Sequence, residues 1–344
     1  MTHTNALALS SITRVSVLAP SPMHPHQRAG TWIPQDPSEP QLRQSLTEYA
    51  ILPLGEPDVK EHLAKMPDKD KADVRSILLY GPANSGKTML MQAICNHSGA
   101  LLCNLSPSNI EGKFVTGNLK NEAAKLIHMV FFVAKEKSMS PVVIYFDEAE
   151  KIFKKGKGKK KSTGADRIKQ HIMDYKKRYL TKTDRCIIIG NCNKPWDLKD
   201  AMKDVRNFFD KHLYVPWPQY SSLCRLWSTL IEKALDGENV PDDFDISTLA
   251  RVSQGYTAGA IAYAVKSVLT ARRVKMMALR PLEESEFLNP LSQCPNDYAA
   301  QHKEFRKFTR DVTGLEKKAR ELLQEMVGDD KGKKKGKGKK KKKK

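Results

Sequence analysis

The sequence predicts an α/β fold, a parallel sheet covered on both faces, followed by a small helical domain. Three observations lead there. An apolar run, Ser76 to Tyr80, passes through a Gly-rich turn into residues apolar at helical spacing, Met89 to Cys95. Further short apolar runs alternate with helical segments as far as Val215, and continuous apolar strands between helices read as a parallel sheet buried on both sides. After Pro216-Trp217-Pro218 the strand-like runs stop and only helical periodicity remains.

Residues 1–45 are rich in Pro, Ser, His and Thr and show no sustained period, so they read as disordered. The first 35 contain no Asp or Glu, as in a transit peptide, but with only Arg14 and Arg28 as bases they read rather as an ordinary tail or an upstream region cut short. Leu46 to Leu54 turns apolar and is expected to pack on the core. Residues 55–75 are polar and charged, and are expected to form a linker or surface loop. The remaining expected strands are Leu101 to Leu105, Val142 to Phe146, Cys186 to Gly190 and His212 to Val215. Helices are expected over Leu119 to Lys137, Asp166 to Tyr179, Gln219 to Leu235, Asp245 to Ser253 and Thr257 to Ala278. The boundaries drawn are a nucleotide-binding part at 46–218, a helical lid at 219–280, loop then helix at 281–328 (helix Leu315 to Met326), and a lysine-rich tail at 329–344.

The turn after the first strand, Gly81-Pro82-Ala83-Asn84-Ser85-Gly86-Lys87-Thr88, fits G-x-x-x-x-G-K-[ST]. Its glycines let successive backbone N–H groups face one anion, and the positive end of the following helix points at the same place. Lys87 would reach the β- and γ-phosphates, the Thr88 hydroxyl would sit on Mg²⁺, and Met89 follows at the helix start. The strand Val142 to Phe146 ends in Asp147-Glu148. Two acids at the carboxyl end of a buried strand suit a metal ligand, Asp147, and a base that orients water, Glu148. They also suit the plain cap of a following helix. The next strand ends in Asn191-Cys192-Asn193-Lys194-Pro195, where an amide could touch a γ-phosphate or simply form a turn.

Composition narrows the class. The 344 residues suffice for one sizeable core and a satellite domain. Six scattered cysteines without a C-x-x-C pair speak for buried thiols in a reducing compartment, not for zinc or disulfides. No apolar run is long enough to span a membrane. Seven lysines in 151–161 and eleven in 331–344 account for all but +2 of the net charge of +20. The body is nearly neutral and carries two basic appendages, unlike a fold with one basic face for DNA.

The order of Gly81–Thr88, Asp147-Glu148, Asn193-Lys194-Pro195-Trp196-Asp197-Leu198, Tyr214-Val215-Pro216-Trp217-Pro218 and Gly255-Tyr256-Thr257-Ala258-Gly259 resembles an AAA ATPase module over roughly 46–280. The resemblance implies an AAA+ P-loop NTPase fold: a five-stranded parallel sheet sandwiched by helices, a helical lid, and ATP or ADP with Mg²⁺ between them. Asn193 then matches the sensor of the γ-phosphate. Gly259 and Ala260 match the lid turn near the adenine and ribose. Glu48 to Gly55, Asn104 to Lys113, Val268 to Arg273 and the Gly-Lys-Lys tail resemble the IQ-and-AAA-domain subgroup, which includes the AAA subunit of the nexin–dynein regulatory complex of motile cilia. This implies a cytoplasmic, cytoskeletal place in the axoneme and other subunits of that complex as partners.

Two departures bear on activity. The family's arginine finger precedes the last strand, where this chain has Asn207 and Phe208, with Arg206 one residue out of register. Its pore-loop aromatic corresponds to Phe114 at loosened spacing, and the second pore loop is replaced by the basic insertion at 151–164. Weak or partner-dependent hydrolysis is therefore expected, and an active hexameric remodelling ATPase of the severing or unfolding type is the alternative. The lysine runs lack interleaved aromatics for base stacking. Acidic tubulin tails on the doublet microtubule therefore rank above nucleic acid, and a nucleic-acid-dependent ATPase is a weaker alternative.

Overall fold

Five short strands carry the architecture: β1 (Ser76–Tyr80), β2 (Leu101–Asn104), β3 (Val142–Phe146), β4 (Cys186–Cys192) and β5 (Lys211–Tyr214). They form one sheet in the order β2-β3-β4-β1-β5, every neighbouring pair parallel. The computed structural model describes residues 35–65, 74–111, 119–154, 165–235, 244–277, 279–314 and 317, and the elements below lie within Asp36–Gly314. Phe114 and most of both lysine-rich runs fall outside the described residues.

β1, β3 and β4 are buried along their whole length, because helices cover both faces. Alternate side chains sort to the two sides. Leu78, Tyr80, Ile144, Phe146 and Ile188 join Phe131, Ile172 and Phe208 on one side. Ile77, Leu79, Val143, Tyr145, Ile187 and Ile189 join Met91 and Ile94 of the helix Lys87–Ser98, with Leu46 and Ala50, on the other. The strand order places β1 between β4 and β5, so its carboxyl end opens at a crossover point of the sheet, the usual position of a ligand crevice in open parallel sheets.

Several elements differ from the sequence reading. A helix, Glu39–Leu46, begins inside the segment expected to be disordered. The Ser38 N–H donates to Gln41 Oε1 at 2.9 Å, half of a capping box, and Leu42 and Leu46 are buried. A second helix, Pro57–Lys65, occupies part of the expected linker, with Pro57 and Asp58 opening it and His62 and Lys65 closing it. The long lid helix stops at Val268. Thr270 caps a new helix, Ala271–Lys275, by accepting from the Arg273 N–H at 3.4 Å.

The lid core gathers Trp227, Ile231, Leu249, Ile261, Val265, Phe287 and Leu291. Phe287 and Leu291 come from the helix Ser285–Ser292, so residues beyond 280 belong to the same core. The helix Tyr298–Thr313 then returns to the sheet. Phe305 and Phe308 join the side of the sheet core that holds Tyr80 and Phe208, and Tyr80 OH meets Thr309 Oγ1 at 2.8 Å. The expected helix Leu315 to Met326 lies outside the described residues except Lys317.

Candidate nucleotide site

The loop between β1 and its helix is a tight curl. Asn84 (φ 59°) and Gly86 (φ 93°) both sit in the left-handed region. Gly81 donates its N–H to the Cys192 carbonyl at 3.2 Å, which ties the loop to the end of β4. Lys87 is 4% exposed, and its ammonium donates to the Gly81 carbonyl at 3.0 Å, the Pro82 carbonyl at 2.6 Å and Ser85 Oγ at 3.3 Å. Burial pulls its pKa down to about 8, against the opposing pull of Cys192, Asp147 and Glu150. A buried cation folded back on neutral carbonyls is a cation without a full counter-charge, and an entering polyphosphate would supply one.

Thr88 stands one residue on, with its hydroxyl 3.5 Å from Tyr145 OH. Asp147 is fixed from behind: its N–H donates to Ser106 Oγ at 2.9 Å, and Ser106 Oγ donates in turn to Asn104 Oδ1 at 2.6 Å. Thr88 and Asp147 are hard oxygen donors of the kind Mg²⁺ takes when phosphates and water complete its shell. No group of three or more His, Cys, Asp or Glu that could hold a metal occurs among the described residues, so a metal here would depend on such a shared shell.

Glu148 has φ 48°, an uncommon conformation for a non-glycine residue. Its N–H donates to Asp147 Oδ1 at 2.9 Å, while its carboxylate pairs with Lys151 at 2.7 Å. The expected water-orienting base is thus engaged with a lysine on the next helical turn. Asn193 lies in the turn after β4, and its N–H donates to Glu150 Oε1 at 3.3 Å.

The lid closes on the loop. Gly259 donates its N–H to the Asn84 carbonyl at 2.9 Å, and a Cβ on Gly259 would come within 2.6 Å of Asn84 Cβ. Pro82, Ala83, Asn84, Gly259 and Ala260 line one cavity of about 470 Å³, to which Thr257, Cys294, Asp297 and Gln301 also contribute. Met89 does not line it; its side chain is 69% exposed. Gly259→Ala is expected to separate lid from loop and weaken ATP binding by roughly tenfold, a lost hydrogen bond plus the displaced lid. Isothermal titration with ATP checks this, and unchanged affinity would contradict it.

Arg206 is exposed on the helix Met202–Phe208. Of the two finger positions, Asn207 is exposed, whereas Phe208 is 2% exposed and packs among Phe146, Phe153 and Phe209. That position has become core and cannot reach another subunit.

The sequence reading passed over Glu150, Tyr145 and Ser106. Glu150 is 7% exposed and buried beside Cys192, with no hydrogen-bond partner at Oε2 among the described residues. A third acid in Asp147-Glu148-Ala149-Glu150, on the first turn of the helix Ala149–Phe153, was the available signal.

The model of the ATPase family associated with various cellular activities (AAA) matches residues 77–217. Dynein regulatory complex protein 11 of Mus musculus is 34% identical over 309 residues, covering 87% of this chain and 34% of the relative. Spastin of Ixodes scapularis is 29% identical over 249 residues, covering 72% of this chain and 33% of the relative. The chain therefore spans about a third of the length of these curated relatives. A crystal structure of the FIGL-1 AAA domain in complex with ADP superposes with a TM-score of 0.59 at 19% identity, over 85% of this chain and 99% of that one. Among the described residues no helix is long and apolar enough to cross a membrane. With its five-stranded parallel sheet, its phosphate-loop curl and these matches, the chain belongs to the AAA ATPase family.

Proposed function

We propose that this chain is an ATP-binding AAA subunit of the dynein regulatory complex of the ciliary axoneme, structural or regulatory in role, with slow or conditional ATP hydrolysis. The observation that carries the nucleotide reading is Lys87, buried and folded onto the Gly81 and Pro82 carbonyls beside Thr88 and Asp147. The place in the complex is supported by the similarity to dynein regulatory complex protein 11.

In this reading Lys87 holds the β- and γ-phosphates, and Gly81 to Met89 cradle the phosphate chain. Gly259 and Ala260 border the nucleoside. Thr88 and Asp147 hold Mg²⁺, which when bound neutralises phosphate charge. Glu148 accepts the proton of the attacking water, and Asn193 touches the γ-phosphate. Two features argue for slow turnover. Glu148 must first leave Lys151, and the Phe208 position offers no arginine to a neighbouring site. Loss of such an arginine costs ~10³–10⁵ in rate in related phosphoryl-transfer sites. The lysine-rich tail, beyond the described residues, would contact acidic tubulin tails on the doublet.

The full chain with Mg²⁺ and ATP is expected to turn over far below ~1 s⁻¹. It is also expected to run as a monomer in size-exclusion chromatography with ATP. Turnover at ~1–100 s⁻¹ by a stable hexamer would establish the remodelling alternative instead. Deleting 331–344 should abolish salt-sensitive co-sedimentation with microtubules. Unchanged sedimentation would remove the tubulin part of the proposal.

A further inference from the structure

We infer that Tyr145 and Asn191 are positioning residues for the magnesium ligands Thr88 and Asp147, a buried relay that sets how tightly the metal is held. The assignment rests on the nucleotide reading above and goes beyond it.

Tyr145 lies in the middle of an otherwise apolar strand and is 2% exposed. Phe would fill that place without a polar atom to satisfy. A hydroxyl buried so deeply costs stability unless it is bonded. Here it is: Asn191 Nδ2 donates to the Tyr145 oxygen at 2.7 Å. Asn191 is itself 0% exposed on β4, the neighbouring strand, so both partners are locked in the sheet.

The direction of the bond matters. A phenol has one proton and accepts through its oxygen. With Asn191 occupying the acceptor side, the Tyr145 proton must point elsewhere. The acceptors facing it are Thr88 Oγ1, at 3.5 Å, and the Asp147 carboxylate, close enough to act on the same hydroxyl. Tyr145 therefore reaches the two side chains that would ligate Mg²⁺. Asn191 Oδ1 is buried without a partner among the described residues, an acceptor available at the same spot.

Partners of this kind orient metal ligands, and their removal typically lowers metal affinity 10–100-fold. The test uses the full chain, the fluorescent analogue mant-ATP, and Mg²⁺ titrated from an EDTA-buffered start. For Tyr145→Phe the Mg²⁺ concentration at half-effect is expected to rise by roughly tenfold, while mant-ATP affinity in EDTA stays within about twofold of wild type. An unchanged Mg²⁺ titration overturns the inference. So does an equal loss with and without metal, since a merely structural hydroxyl would loosen the whole loop. Asn191→Leu, similar in volume, is read the same way and decides the matter should Tyr145→Phe not fold. If wild type binds no mant-ATP at all, the nucleotide reading itself fails, a result distinct from each of these.

Discussion

Replacing Lys87 with Ala lowers the affinity for Mg²⁺-ATP by about 10²- to 10³-fold. The ammonium now donates to two carbonyls and Ser85 Oγ, bonds that a polyphosphate would replace with stronger, charge-assisted ones. Hydrogen bonds to charged groups contribute ~1.5–3 kcal/mol each, so losing two amounts to ~3–6 kcal/mol, and the expected loss of affinity takes the lower half of that range. The same residue sets a pH dependence. Burial brings its pKa from 10.5 to about 8. Below pH 8 the ammonium is charged and affinity is level. Above it, each bound polyphosphate must draw a proton back onto Lys87, and affinity falls by up to about tenfold per pH unit. Stability runs the other way. Between about 8 and 10.5 the unfolded chain binds more protons at this group than the folded one, so its contribution rises with pH. Nucleotide titrations and thermal denaturation from pH 7 to 10 should show the two trends crossing. A flat affinity profile, or Lys87→Ala binding as wild type does, would remove Lys87 from the site.

Gly81→Ala should damage fold and site together. A Cβ there would stand 2.2 Å from the Val215 carbonyl oxygen and 3.3 Å from Val215 Cβ. The obstacle is backbone, anchored by the Val215 N–H bonding to the Tyr80 carbonyl at 2.8 Å, so no side-chain rotation relieves it. Either β5 slides from β1 or the loop shifts away from Cys192. Overpacking of this kind costs ~1–3 kcal/mol or more, which corresponds to a fall in Tm of ~2–12 °C. ATP affinity should fall with it. Calorimetric unfolding at wild-type Tm, with undiminished ATP binding, would show that the close approach is not needed.

The sheet could be read from the sequence because its strands are buried on both faces. Val142 to Phe146 and Cys186 to Gly190 have no plausible exposed side, and the phosphate loop fixed where β1 ends. Pattern was a poorer guide where apolar residues are sparse. Pro57–Lys65 is charged enough to resemble a loop, although Lys60 is 1% exposed. Tyr298–Thr313 follows Pro295 and Asn296, turn formers that hid the stripe Phe305, Phe308 and Val312. At the site, the loop residues and Asp147 follow from spacing, and Gly259 follows only from the resemblance to the AAA module. The supporting set does not. Tyr145 reads as one more β-favouring aromatic, Asn191 as a strand-end amide, and Glu150 as a surface acid, because only the fold shows which polar atoms are buried against one another. The Phe208 position was visible as a departure, but its conversion into core depends on Phe146, Phe153 and Phe209 converging from three elements.

The return of the last described helix to the sheet gives this molecule a mechanical linkage. Thr309 and Phe308 grip Tyr80, the residue immediately before Gly81, while His302 holds Asp36 at 2.8 Å. A load applied to the chain beyond Gly314 would be borne first by these contacts. Its line of action would run through Tyr80 into the first glycine of the phosphate curl. Tension on that helix would thus be felt at Gly81, where the candidate nucleotide loop begins.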